Sequence, residues 1–244
     1  MPGNPLPGIV ELPVRRWRDG RWEEASDSVA DEVPVALTFN SIPHVVMLAS
    51  PTDLADLGRG FSFTEALVES PAEIRAVELK TTPQGIEVAV AVPQQRLAQL
   101  LDRRRNLTGR TGCGVCGAET IEDAIRVPAA VAAGGMIGRE ALVGALVALR
   151  SRQALNARTG SLHAAAWVGW DGQIRLVRED VGRHNALDKV IGALLEQQAD
   201  RTDGLLVITS RASYEMVQKT ATAGVRMLVA VSAPTALAIR LAQR

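Results

Sequence analysis

The chain has 244 residues and 26.0 kDa, room for one large domain or two small ones. Its 47% hydrophobic and 22% charged residues describe a soluble globular protein with a core. The 27 basic and 27 acidic residues cancel, which argues against bulk electrostatic binding to nucleic acid or an anionic membrane surface and leaves a local basic pocket open. Aromatic residues are only 3%, so the core is built from Ala, Val, Leu and Ile. The opening MPGNPLPGIVELPVRR lacks the basic segment and apolar run of a signal peptide, and the apolar stretch from Ala141 to Leu149 is too short to cross a bilayer. The expectation is therefore a cytoplasmic protein with no membrane association. Only Lys80, Lys189 and Lys219 are lysines; the other basic residues are arginines, which suit bidentate phosphate contacts.

In chain order, the first part, residues 1–108, reads as strand-rich α+β. WRDGRW places Asp19 and Gly20 at a tight hairpin turn. PVALTFNSIPHVVMLAS supplies strands, after which Pro51 and Asp53 open a helix through Leu57 that is predicted to continue from Phe61 to Glu69. A second hairpin, IRAVELK and IEVAVAV, turns at TTPQG. Pro93 starts an amphipathic helix with Leu97, Leu100 and Leu101 on one face and Arg103–Arg105 at its end. Residues 109–126 are expected to be a flexible glycine-rich C-x-x-C loop. Between Arg126 and Arg139 no residue is charged, which predicts a buried linker. From 127 to 244 the pattern alternates: a helix over Gly138–Asn156 with Leu142, Leu146 and Leu149 on one stripe, strands HAAAWVG and QIRLVRE around the turn WDG, then helix, strand, helix, strand, helix. That alternation predicts parallel crossovers and a three-layer α/β core.

Three places can carry chemistry. RTGCGVCGAE holds both cysteines, Cys113 and Cys116, among Gly109, Gly112, Gly114 and Gly117. The glycines free the backbone and expose the sulfurs, and a nearby arginine such as Arg110 favours the thiolate. The same spacing is also half a zinc site, whose remaining ligands would have to come from His44, His163 or His184. The second place is GLLVITSRASYEMVQK, where a strand ends at Ser210 and a helix begins near Ser213. A strand-to-helix junction offers free N–H groups to phosphate, with Arg211 as a bidentate partner, and Ser213 is also a candidate N-cap. The third is REDVGRHNALDK, which crowds Glu179, Asp180, Arg183, His184, Asn185, Asp188 and Lys189 into another such junction. An ordinary solvated helix start could look the same. His163 begins an otherwise apolar strand and is equally a candidate core residue.

TGCGVCG, TGSLHAAA, REDVGRHNALDKVIG, SRASYEMVQK and AVSAPTALA stand in the order seen in the formate dehydrogenase accessory sulfurtransferase (FdhD) family, which the chain resembles from about Gly58 onward. The resemblance implies a cytidine-deaminase-like α/β fold with a mixed sheet, an N-terminal extension and a homodimer. It also implies sulfur transfer: sulfur arrives from a cysteine desulfurase as a persulfide on Cys113, with Cys116 assisting its release. The sulfur passes to the molybdenum bis-molybdopterin guanine dinucleotide cofactor that formate dehydrogenase requires. Its guanosine diphosphate arms make phosphate contacts at Arg183, His184, Ser210, Arg211 and Ser213 sensible by their chemistry. No permanent metal is expected.

The deaminase signature H-x-E with a later P-C-x-x-C is absent, since His163 is followed by Ala164 and Ala165 and the C-x-x-C precedes it. Deamination is not expected. The chain departs from the family at Ala66, where glycine is expected, and at Asn156 and Ser161. Members also continue past Arg244 with a further strand and an arginine-containing loop, so an incomplete nucleotide site is expected if that segment is lacking. Two other functions fit the C-x-x-C: a thiol–disulfide oxidoreductase and a zinc-binding interaction protein.

Overall fold

The computed structural model describes residues 6–97 and 126–244. Its first elements are a ribbon of two ten-residue antiparallel strands, β1 (Ile9–Arg18) and β2 (Arg21–Ala30). The turn between them has Asp19 at φ 50° and Gly20 at φ 77°, the paired positive angles that a two-residue hairpin matched to strand twist requires. Trp17 and Trp22 face each other beside it, edge to face at 5.3 Å.

A four-stranded sheet follows, in the order β4–β3–β6–β5, from β3 (Val33–Phe39), β4 (Ile42–Ala49), β5 (Ala76–Thr82) and β6 (Gly85–Ala91). Helix α1 (Leu54–Thr64) covers one face, and Val35, Leu37, Phe39, Leu57, Phe61, Val88 and Val90 make the core between them. The helix stops at Thr64, short of the predicted Glu69. Ala66, at φ 51°, takes the left-handed conformation that ends a helix, the position where the family resemblance calls for glycine.

The second sheet has the order β10–β9–β7–β8, from β7 (His163–Gly169), β8 (Ile174–Asp180), β9 (Gly204–Arg211) and β10 (Leu228–Ser232). Between β6 and β7 come α2 (Arg139–Arg152) and the short α3 (Asn156–Thr159). After β8 come α4 (Arg183–Glu196), α5 (Tyr214–Thr222) and α6 (Ala236–Ala242). Side chains alternate strictly across this sheet. Ala166, Val168, Leu205 and Val207 face α2 through Ala145 and Leu149. Ala165, Trp167, Leu206 and Ile208 face α4 and α5 through Leu187, Val190, Ile191, Leu194 and Met216. Helix, sheet and helix form the expected three layers, and burial on both faces explains the unbroken apolar run of β9.

The pairing is more mixed than simple alternation predicts. In the second sheet, central β7 runs antiparallel to both β8 and β9, and of its pairs only β9 and β10 are parallel, joined by α5. The segment from Val127 to Met136 is also different from the buried linker expected: Val127 is 53% and Met136 88% exposed. Residues 127–134 line one wall of a largely apolar cavity of about 700 Å³, whose other walls are α5, α6 and the start of β10. A run without charge can be the rim of a cavity as well as a core.

The two halves meet where α1 crosses α4. A side-chain carbon at Gly60 would lie 1.8 Å from the Asp188 carbonyl oxygen, and one at Gly192 would lie 1.9 Å from that of Asp56. Only glycine fits either place. Gly60→Ala is expected to destabilise the protein by about 3 kcal/mol, the upper end of overpacking, and to lower Tm by several degrees. Ala66→Gly, relieving a left-handed alanine, is expected to raise stability by about 0.5–1 kcal/mol. Denaturant unfolding of the two variants checks both signs.

Candidate functional site

Three strand ends, two of them strand-to-helix junctions, converge at one end of the second sheet. β7 begins there with His163, β8 hands over to the N-terminus of α4 at Arg183 and His184, and β9 hands over to the N-terminus of α5 at Ser213. Both helices direct the positive ends of their dipoles and unpaired N–H groups here. Ser213 holds the N-cap position but does not cap: its hydroxyl makes no bond to the first turn and is buried with no partner among the described residues. The same holds for Arg183 Nε and His184 Nε2. Three buried polar atoms from two helix starts are thus left unsatisfied together, an arrangement that disfavours the empty site and favours an acceptor-rich ligand.

The electrostatics are set from below. Lys219, on α5, is buried and bonds Asp188 Oδ2 at 2.8 Å, Glu65 Oε1 at 2.8 Å and Thr64 Oγ1 at 3.0 Å. Thr64 in turn donates to Asp188 Oδ1 at 2.7 Å. The flanking carboxylates hold the Lys219 ammonium charged and raise its pKa. Burial pushes the imidazole of His184 down to about 3, helped by Lys219 and Arg183. Burial likewise pushes Glu215, on α5, up to about 7. The two lie 3.2 Å apart, His184 Nδ1 to Glu215 Oε2. Burial and then Arg183 also lower His163.

Arg126 ties the end of the cysteine-bearing segment to this place. Its guanidinium bonds the backbone carbonyl and the carboxylate of Glu65, the latter at 2.6 Å, and its own carbonyl accepts from Tyr214 Oη at 2.7 Å. At the upstream end, Arg96 pairs with Glu69 at 2.5 Å and Glu73 at 2.9 Å. Cys113 and Cys116 themselves lie outside the described residues, as do Leu100, Leu101 and Arg103–Arg105.

Of the other residues singled out, Arg211 is exposed at the end of β9, and Ser210 beside it is buried with Oγ 3.3 Å from the Arg211 carbonyl. Half of REDVGRHNALDK turns out to be internal scaffold. Lys189 and Asp180 form a fully buried pair at 2.6 Å, braced by Ser50 and Asn185, and Glu179 accepts from the N–H groups of Leu155 and Asn156. Burial lowers the pKa of Lys189. His44 packs edge-on against Phe39 and Phe61. Among the described residues no group of three or more His, Cys, Asp or Glu could hold a metal, and no helix is long and apolar enough to cross a membrane.

Lys219→Met would leave Asp188 and Glu65 facing each other in a buried place without their cation. It is expected to cost about 3–5 kcal/mol of stability. The double variant Lys219→Met/Asp188→Leu is expected to recover part of that loss, because it removes the stranded charge as well. Urea unfolding of the three proteins measures it.

Known proteins share this architecture over nearly the whole chain. A sulfur carrier protein FdhD of Xanthomonas campestris pv. campestris (strain B100) is 50% identical over 242 residues, covering 99% of this chain and 86% of that protein. Those of Cupriavidus necator and Bordetella petrii are 50% and 52% identical, covering 95% and 89% of this chain and 80% and 78% of theirs. A crystal structure described as a candidate formate dehydrogenase accessory protein, from Desulfotalea psychrophila, superposes with a TM-score of 0.72 at 26% identity, covering 98% of this chain and 90% of that one. The family model of FdhD/NarQ matches residues 30–244. With these matches and this site, the chain belongs to the FdhD/NarQ family.

Proposed function

We propose that the protein is a sulfurtransferase, a sulfur carrier that serves formate dehydrogenase. Cys113 receives sulfur from a cysteine desulfurase as a persulfide and passes it to the molybdenum bis-molybdopterin guanine dinucleotide cofactor, bound as substrate. The protein works in the cytoplasm as a homodimer. The family's named members supply the sulfur-carrier class. The observation that supports a diphosphate-bearing substrate is the set of buried polar atoms without a partner among the described residues, Arg183 Nε, His184 Nε2 and Ser213 Oγ. Diphosphate oxygens are acceptors, and two helix N-termini with an arginine make a fitting cradle for them. Arg211 at the rim adds a second guanidinium, and Ser210 lies at the same strand end.

The chemistry follows from thiolate reactivity. The Cys113 thiolate attacks the terminal sulfur of the desulfurase persulfide. The donor S–S bond breaks, the donor cysteine leaves as a thiolate, and Cys113 carries the new S–S bond. The Cys116 thiolate then attacks Cys113 Sγ, a Cys113–Cys116 disulfide forms, and sulfide leaves with the electron pair. A dithiol reductant returns the pair to thiols. Cys116 lies ten Cα-to-Cα steps before Arg126, a tether of at most ~35 Å when fully extended, anchored beside Tyr214 at the cradle.

Incubation with a cysteine desulfurase and cysteine, followed by peptide mass mapping, tests this. The expected result is a gain of one sulfur atom on Cys113, lost in Cys113→Ala and accumulating in Cys116→Ala. Unmodified thiols with stoichiometric zinc would overturn it in favour of a zinc-binding protein, and a wild-type Cys113–Cys116 disulfide with no added sulfur on Cys113 in Cys116→Ala would overturn it in favour of a disulfide oxidoreductase.

A further inference from the structure

The cradle contains a pair of groups that diphosphate recognition alone does not explain. His184 reaches the site through Nε2, while its other nitrogen, Nδ1, lies 3.2 Å from Glu215 Oε2. An imidazole held at one nitrogen by a carboxyl, with the other nitrogen buried and unsatisfied, is set up to donate to a ligand and to change its charge in doing so. Resting on the diphosphate reading above, we propose that Glu215 is the positioning residue for His184, and that an arriving anion is bound by a His184 imidazolium formed as the His184–Glu215 pair takes up one proton.

The surroundings say why the proton moves only when a ligand arrives. The groups around the pair are Lys219 on α5, Arg183 and Asp188 on α4, His163 on β7 and Glu65 after α1. Burial first, and then Lys219 and Arg183, oppose a cationic ring, so in the empty site the ring is neutral and a proton held by the pair sits on the Glu215 carboxyl, facing Nδ1. A diphosphate oxygen against Nε2 supplies the negative charge that those cations deny. The proton then crosses from Glu215 to Nδ1, leaving a carboxylate on one side of an imidazolium and the anion on the other. No bond other than O–H and N–H changes, and the extra proton comes from solvent.

The sign follows from Glu215, which titrates near 7 in the empty protein. Well below that pH the pair already holds its proton and binding takes up none. Above it, each ligand bound draws a proton in, and affinity falls up to about tenfold per pH unit. Calorimetry with guanosine 5′-diphosphate as the probe, between pH 7.5 and 8.5, reads this directly, because its phosphates do not titrate in that window. Repeating the titration at pH 8 and pH 8.5 in two buffers of different ionisation enthalpy is expected to show net proton uptake that rises with pH toward one per ligand.

Glu215→Gln is expected to bind more weakly at pH 7.5, with no proton uptake and no pH dependence across the window. His184→Gln keeps a neutral donor and is expected to bind with equally flat dependence, so the prediction survives if one variant fails to fold. A merely structural role for Glu215 would lower affinity equally at every pH and leave the wild-type slope in place. Binding by the wild type without proton uptake, or an unchanged slope in Glu215→Gln, overturns the proton-coupled pair and leaves the diphosphate cradle standing. Failure of the wild type to bind the probe overturns the cradle and this inference with it.

Discussion

The contact between Lys219 and Asp188 is the constraint on which the rest of the molecule depends. It is a buried ion pair, with side chains 3% and 2% exposed, and Thr64 and Glu65 complete its hydrogen bonds. Such a pair adds little net stability over a well-packed apolar one, because desolvation offsets most of the attraction. It contributes geometry instead. Lys219 reaches from α5, Asp188 from α4, and Thr64 and Glu65 from the end of α1, so one ammonium fixes the relation of three segments from both halves of the chain. Glu215 and Ser213 stand one turn and more before Lys219 on or ahead of α5; His184 stands four residues before Asp188 on α4. The positions of the site's polar atoms are therefore set by a network one helical turn beneath them.

The same network governs where the cysteine-bearing segment is tethered. Glu65 divides its carboxylate between Lys219 and Arg126, so the residue that ends the segment is held by the group that stabilises the buried lysine. Gly60 and Gly192 allow this by letting α1 and α4 approach until backbone meets backbone. A larger residue at either place would separate the helices and stretch the Thr64–Asp188 bond. Packing, ion pairing and placement of the segment's base are one structural problem with one solution.

The sequence made the periodic features legible and left their partners hidden. The unbroken apolar runs in HAAAWVG and GLLVITS mark strands buried on both faces, and the Leu142–Leu146–Leu149 stripe marks the face α2 turns to the sheet; both are local. That β7 lies antiparallel to β8 and β9 depends on which strands meet, and no periodicity encodes that. At the site, Arg183, His184 and Ser213 were visible because a strand-to-helix junction is a short-range pattern. Ser213 was nevertheless visible for two reasons at once, and its hydroxyl turns out to make no cap bond to its own helix and to be buried without a partner among the described residues. Glu215, Arg126 and Glu65 escaped notice because their roles rest on contacts across 31 residues or more, or 61 and 154 in the case of Arg126 and Lys219 with Glu65. One signal was available: in a chain with three lysines, two stand within helical, largely apolar frames, and an arginine-rich protein that keeps lysine there is using a compact charge.

The resting charge of the cradle bears on selectivity. If His184 were protonated in the empty protein, it would add to Arg183 and Lys219 and make a standing cationic pocket open to any small anion. A neutral ring avoids that. Full charge then appears only for a ligand whose acceptor lies close enough to Nε2 to overcome the opposition of Lys219 and Arg183, while also reaching Arg183 Nε and Ser213 Oγ. A monoanion meeting one donor gains too little to draw in the proton; a diphosphate spanning several donors gains enough. Discrimination then comes from the free energy withheld until the ligand is fully seated, the same logic by which a site left with unsatisfied polar groups rejects an analogue that cannot pair them.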